Sequence, residues 1–226
     1  MADASVMPIA ERAADLITGR PDEFWSRPDV IPLAASSRED FMSELIADLF
    51  ISVDGCAKGS RSPAFFGFGG PDLDRWIGEQ MRRPQRHLMG RKTYVALAAL
   101  PEPGHDEGSP SLVATPTTVF SRTLQAVSWP HATISDDLVG TVRRLKAGDT
   151  DLRTIGSLSL VSQLLQAGLV DRLRLLVFPL IAGETGQEPA FAHLPDIGLD
   201  LVGQSVLDRR IVLSEYRPSG APPYAS

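Results

Sequence analysis

A single cysteine, Cys56, stands among 226 residues, so no disulfide forms within the chain. Four histidines, His87, His105, His131 and His193, are scattered with no metal-ligand spacing, and no bound metal is expected. No apolar run approaches the ~20 residues of a membrane span. Met1 to Ala10 also lacks the basic start and apolar centre of a secretory signal, so a cytoplasmic protein without membrane contact is expected. Basic charge is in deficit as well. Lys and Arg number 22 against 28 Asp and Glu, a net charge of −6, which argues against a nucleic-acid footprint. An anionic ligand therefore needs a local basic pocket. What is present is an ordinary composition, 43% hydrophobic and 22% charged, enough for one sizeable core.

The chain is organised around Arg153 to Gly183. Asp151 to Ile155 leans to β structure, and Gly156-Ser157 breaks it where a helix starts with Ser157 as N-cap. Leu160, Val161, Leu164 and Leu165 then recur at helical spacing, and Gly168 stands where a left-handed C-terminal residue belongs. Leu173 to Leu180 is apolar on both faces apart from Arg174, as in a strand covered by helices on each side of a sheet. The segment reads as a βαβ unit whose glycine turn lies at the carboxyl end of its first strand, where open α/β sheets bind ligands. Such a turn is either a tight turn only, or an anion site that uses the free N–H groups and positive end of the helix.

Residues 1–43 look appended, with eight acidic residues against four arginines and four prolines. A short amphipathic helix over Ile9 to Ile17 and the Phe24-Trp25 pair suggest packing on the body or on a second subunit. The body begins with Leu45 to Val53, a buried first strand ending in Asp54-Gly55. That dipeptide is a turn signal; the other reading places Asp54 at a strand's carboxyl end, facing the ligand crevice. Residues 58–71 mix glycines with Phe65, Phe66 and Phe68, and suit either the wall of a pocket for a planar ligand or packing beneath a loop. A helix follows over Asp72 to Met81, with Leu73, Trp76 and Ile77 on one face.

Arg86 to Met89 reads as a strand, followed by Gly90-Arg91-Lys92-Thr93-Tyr94 at a helix start. Backbone donors, two cations and a hydroxyl in one place suit a phosphate. A basic first turn opposes the helix dipole and so calls for a reason. It is not a nucleotide P-loop, because Arg91 intervenes before Lys92 and position 85 is Gln. After a proline-rich loop from Pro101 to Pro116, Thr117 to Phe120 forms a strand ending in Ser121-Arg122-Thr123. A short strand over His131 to Ser135, a helix over Leu138 to Ala147 and a terminal hairpin turning at Asp208-Arg209 complete the reading.

The ordered set Ser52-Val53-Asp54-Gly55, Met89 to Tyr94, Phe120 to Leu124, and Ile155-Gly156-Ser157 with Gly168 to Asp171 resembles the dihydrofolate-reductase-like superfamily. Within it, the chain is most similar to the reductase domain of the bacterial bifunctional riboflavin-biosynthesis deaminase/reductase and its stand-alone relatives, over about Leu45 to Pro218. The resemblance implies a three-layer α/β/α fold with a mostly parallel central sheet and a C-terminal antiparallel hairpin. It divides the chain into an extension (1–43), a reductase domain (44–218) and a tail (219–226), and suggests a homodimer. It implies NADPH held by Gly90, Arg91, Lys92, Thr93, Ser121, Arg122, Gly156, Ser157 and Leu158, and hydride transfer to a C=N or C=O group of a small heterocyclic substrate such as a pteridine or pyrimidine. The acceptor is expected against Ser52, Asp54, Phe65, Phe68 and Trp76, with Asp54 as the catalytic residue, orienting the acceptor or relaying a proton if burial raises its pKa. A non-catalytic protein that keeps the nucleotide crevice is the alternative. Three features depart from the relatives: Val95 where an acidic residue commonly follows the tyrosine, the long front extension, and Gly156-Ser157 in place of a Gly-Gly pair.

Overall fold

The computed structural model describes residues 43–100, 112–192 and 194–225. The readings of the front extension and of 101–111 lie outside them. Strands β1 (Leu45–Ser52), β3 (Gln85–Gly90), β4 (Thr117–Phe120), β5 (Ala132–Ser135), β6 (Asp151–Thr154), β7 (Arg172–Phe178), β9 (Gly198–Leu207) and β10 (Ile211–Gly220) form one eight-stranded sheet, in the order β5-β4-β3-β6-β1-β7-β10-β9. All pairings are parallel except those of β10, which runs antiparallel to β7 and β9. The α/β architecture with its terminal antiparallel hairpin is therefore the one expected. A second, two-stranded ladder pairs β2 (Cys56–Gly59) with β8 (Gly186–Pro189), and the sequence pattern of neither segment indicates a strand.

Alternation along the strands sorts residues onto two helical layers. Leu45, Ala47, Leu49 and Ile51 of β1, Leu88, Leu152 and Leu173 point one way, against Val142 of α3 (Leu138–Lys146) and Leu160, Val161, Leu164 and Leu165 of α4 (Leu158–Gln166). On the other face, α1 (Pro71–Met81) sets Leu73 and Trp76 against Leu176, Phe178, Ile211 and Leu213. Beside it, α2 (Arg91–Ala98) buries Tyr94 against Met89, Val119 and Trp129. The α1 face also carries charge. Arg172 donates to Glu44 and, at 2.5 Å, to Glu215, while Arg174 donates to Glu215 at 2.7 Å and to Gln80 of α1 at 2.8 Å. Asp48 pairs with Arg153, whose guanidinium lies 5.5 Å from the centre of the Trp76 ring. His87, in register with Arg153, is fully buried with neither ring nitrogen hydrogen-bonded. Burial first, then the nearby Arg153 charge, hold its pKa down to about 4, so it is neutral.

Caps set where the helices begin and end. Gly168 has φ +63°, and the bonds Leu169 N to Leu164 O and Gly168 N to Leu165 O close a Schellman motif after α4. At the start of α1, Gly70 has no side chain to cap with; Asp208 of the β9–β10 turn supplies the carboxylate, accepting from Asp72 N at 2.9 Å and Leu73 N at 3.0 Å. β10 continues through Gly220, past the expected tail boundary, and the Tyr224 hydroxyl donates to Asp196 at 2.6 Å. No described helix is long and apolar enough to cross a membrane.

Candidate active site

β3 and β6 are parallel neighbours whose connections leave in opposite directions. α2 leads outward to β4 on one face; α4 crosses β1 on the other face to reach β7. This is a topological switch point, where the carboxyl ends of an open sheet leave a crevice. The gap is widened because β1 pairs with β6 only at Leu45 and Ile46, so the edge of β1 from Asp48 to Phe50 is left uncovered on that side and lines the opening. The crevice has a volume of about 1110 Å³.

Two helix N-termini meet at its floor. Ser157, expected to cap α4 with its side chain, makes no such bond; its backbone is left-handed (φ +67°) and its hydroxyl instead accepts from Gly90 N at 2.7 Å and bonds Thr93 Oγ1 at 2.6 Å. The starts of α2 and α4 are thereby tied together. Glycine suits both turns: a Cβ on Gly90 would sit 2.8 Å from Ser157 Oγ and disturb its bonds, and Gly156 has φ +57° with Thr93 only 3.2 Å from where a Cβ would be. Next to them, Ser121 Oγ accepts from Thr123 N and Leu124 N, folding a turn that presents Arg122. Arg91, Lys92 and Arg122 are exposed and make no ion pair among the described residues.

The nine residues expected to hold the cofactor, Gly90, Arg91, Lys92, Thr93, Ser121, Arg122, Gly156, Ser157 and Leu158, all line this one crevice. The residues expected against the acceptor do not. Ser52 is fully buried, its hydroxyl bonded to Asp54 at 2.6 Å and to Cys56. Phe65, Phe66 and Phe68 pack around Phe178, with ring centres 5.7 to 6.4 Å away. Trp76 lies in the same cluster, 8% exposed. Phe66 and Phe68 are partly buried against Phe178, whereas Phe65 is exposed and also lies 5.2 Å from the ring of Phe50, which lines the crevice.

Asp54 is exposed, and its carboxylate accepts from Ser52 Oγ, Ala182 N at 2.9 Å and Gly183 N at 2.8 Å. These bonds, that of Ser52 foremost, lower its pKa to about 2. The condition for proton relay, a pKa raised by burial, is not met. As an anion, Asp54 joins the end of β1 to the loop after β7. Sequence reasoning also missed Asp48, Ala57 and the wall Glu188-Pro189-Ala190, which line the crevice from β1 and the β2–β8 ladder. A lone carboxylate in an otherwise apolar strand, Asp48 in β1, was the one signal among them.

The model of the RibD C-terminal domain matches residues 43–213. The chain belongs to the RibD C-terminal domain family. Among curated proteins it is similar to the uncharacterized protein YyaP of Bacillus subtilis, 25% identical over 183 residues, which span 78% of this chain and 95% of that one. Among solved structures it resembles a putative riboflavin biosynthesis protein from Shewanella sp. PV-4, with TM-score 0.62, 20% identity, and coverage of 78% of this chain and 99% of the other. It also resembles a diaminohydroxyphosphoribosylaminopyrimidine deaminase/5-amino-6-(5-phosphoribosylamino)uracil reductase from Thermotoga maritima, with TM-score 0.58, 19% identity, and coverage of 78% of this chain and 57% of the other. At these identities the solved structures establish that this RibD-type domain has the reductase fold.

Proposed function

We propose that the protein is an NADPH-dependent reductase that transfers hydride to a C=N or C=O group of a small heterocyclic substrate. The observation that carries this reading is the convergence of three cations, unpaired among the described residues, and two glycine-bearing helix starts on one crevice of a negatively charged protein. The donor set fits the cofactor: the free backbone N–H groups in the first turns of α2 and α4 for the pyrophosphate, and Arg91, Lys92 and Arg122 for the remaining phosphate. When bound, NADPH supplies the hydride.

The chain's own residues hold and orient. Ser157, by bonding Gly90 N and Thr93, fixes the spacing of the two helix starts before any ligand arrives. Phe50, Ala57 and Pro189 give the crevice an apolar stretch away from the cations, suited to planar rings. The proton that completes the reduction comes from water reaching the open crevice, since Asp54 is an anion at neutral pH and cannot donate it. Asp54 supports the β1 end of the wall.

The test is a titration with NADPH followed by thermal unfolding, then NADPH oxidation against pteridine, pyrimidine and flavin-like acceptors. Thermal stabilisation by NADPH together with turnover on one acceptor class is the expected result. Stabilisation without oxidation across the panel would leave a nucleotide-binding protein, and no stabilisation at all would remove the cofactor assignment.

A further inference from the structure

Six described residues other than glycine hold a positive φ. Five of them have a structural return. Asp208 and Arg209 make the two-residue hairpin turn closed by Arg210 N to Leu207 O; Phe65 and Phe66 bring their rings onto Phe178; Ser157 gains bonds to Gly90 and Thr93. Glu188, at φ +57°, lies inside β8 between Gln187 and Pro189, which pair with Lys58 and Cys56, and its conformation carries its side chain to the crevice. Its side chain is half exposed and makes one contact, an ion pair with Lys58 of β2 at 2.9 Å, of the kind that adds little to stability. Strained backbone gathers at functional sites, and an outlier of this kind points to a role at the site it faces. Glu188 faces the crevice.

Its position decides which ligand it meets. Arg91, Lys92 and Arg122 stand at the ends of β3 and β4, whereas Glu188 stands on the β2–β8 ladder beside Ala57 and Pro189. Phosphates belong with the cations, so a carboxylate on the ladder meets the uncharged part of the site. The other carboxylates lining the crevice are otherwise placed. Asp48 is buried against Arg153, and Asp136 lies before α3, at the end of β5.

We propose that Glu188 is the specificity residue for the hydride acceptor: its carboxylate accepts the N–H donors on the edge of an amino- or amido-substituted nitrogen heterocycle. This rests on the reductase reading of the crevice. Lys58 holds the carboxylate on the wall until the ring's N–H groups compete for it, and charge-assisted acceptance of two such donors selects against rings that lack them.

The test uses the full chain saturated with NADPH and two probes, 2,4-diaminopyrimidine and 2,4-dimethoxypyrimidine, which share a ring and differ in N–H donors. Calorimetry on the wild-type protein should show a preference for the diamino ring of about tenfold or more. Glu188→Ala should reduce that preference to within about threefold with NADPH affinity unchanged. Lys58→Ala, which frees the carboxylate, should retain it. A wild-type protein that binds both rings alike, a Glu188→Ala variant that keeps the preference, or equal losses in the two variants would each overturn the assignment. Failure of the wild-type protein to bind NADPH is seen before either ring is added, and overturns the reductase reading itself.

Discussion

The charges beneath α1 and the charges at the strand ends are handled in opposite ways. Under α1, Arg172 and Arg174 are nearly buried and share the two oxygens of Glu215, with Glu44 and Gln80 taking the remaining bonds. Burial alone would raise the Glu215 pKa, but the Arg174 and Arg172 charges and hydrogen bonds outweigh it and lower it, so the group stays ionised. At the crevice, Arg91, Lys92 and Arg122 are exposed and lack any ion partner among the described residues. Paired buried charge serves the native structure and breaks it when one member goes. Exposed cations gathered at helix starts cost little to keep and have work only when an anion arrives.

Removing one member from each set gives the sharpest contrast. Glu215→Ala leaves two guanidinium groups short of their partner inside the protein and should cost about 3 to 5 kcal/mol, read as a fall in the urea midpoint. A loss below about 1 kcal/mol would show that water enters and that the row is not dry.

His87 extends the buried row toward β4 and makes the structure sensitive to acid. Its folded-state pKa lies below the unfolded value of 6.5, so its contribution is complete above pH 6.5 and is lost as pH falls through the window from 6.5 to about 4. The loss tends toward about 3 kcal/mol at the lower end. Denaturant curves recorded between pH 7 and pH 4 for wild type and His87→Leu check this: the variant's stability should be flatter over that window. Parallel curves would mean that His87 is hydrated.

Arg91→Ala is the smallest of the three perturbations and reverses the pattern. Stability should change by less than about 0.5 kcal/mol, while NADPH binding weakens about tenfold and NADH binding little. Equal losses for both cofactors in fluorescence titrations would place Arg91 away from the 2′-phosphate.

What the sequence disclosed follows the range of the forces involved. Gly168, the Asp208-Arg209 turn and the apolar run of β7 are local signals with local causes, and each element stands where its residues indicate. That Gly90 to Thr93, Ser121-Arg122 and Gly156-Ser157 gather at one crevice was legible because glycine and cation clusters at strand ends are local too. The β2–β8 ladder was not, since Cys56 to Gly59 and Gly186 to Pro189 have poor strand propensity and are held by pairing across the fold. Nor was the fate of Ser157, whose hydroxyl finds partners 64 and 67 residues away instead of capping its own helix. Phe65 and Phe68 suited a wall or an underside equally, because their ring contacts with Phe178, more than 100 residues away, leave no mark in the local sequence.

The central position of β1 bears on how the chain is made. Its two neighbours, β6 and β7, emerge from the ribosome long after it: Leu45 pairs with Leu152, 107 residues on, and Ile46 with Arg172, 126 residues on. At about 5 to 20 residues per second, the apolar strand LIADLFIS waits on the order of ten seconds without a partner. During that interval it is an unpaired β-forming segment of the kind that recruits other nascent chains. The yield of soluble protein should therefore depend on translation speed and on chaperones that hold β1 more than on the stability of the finished sheet.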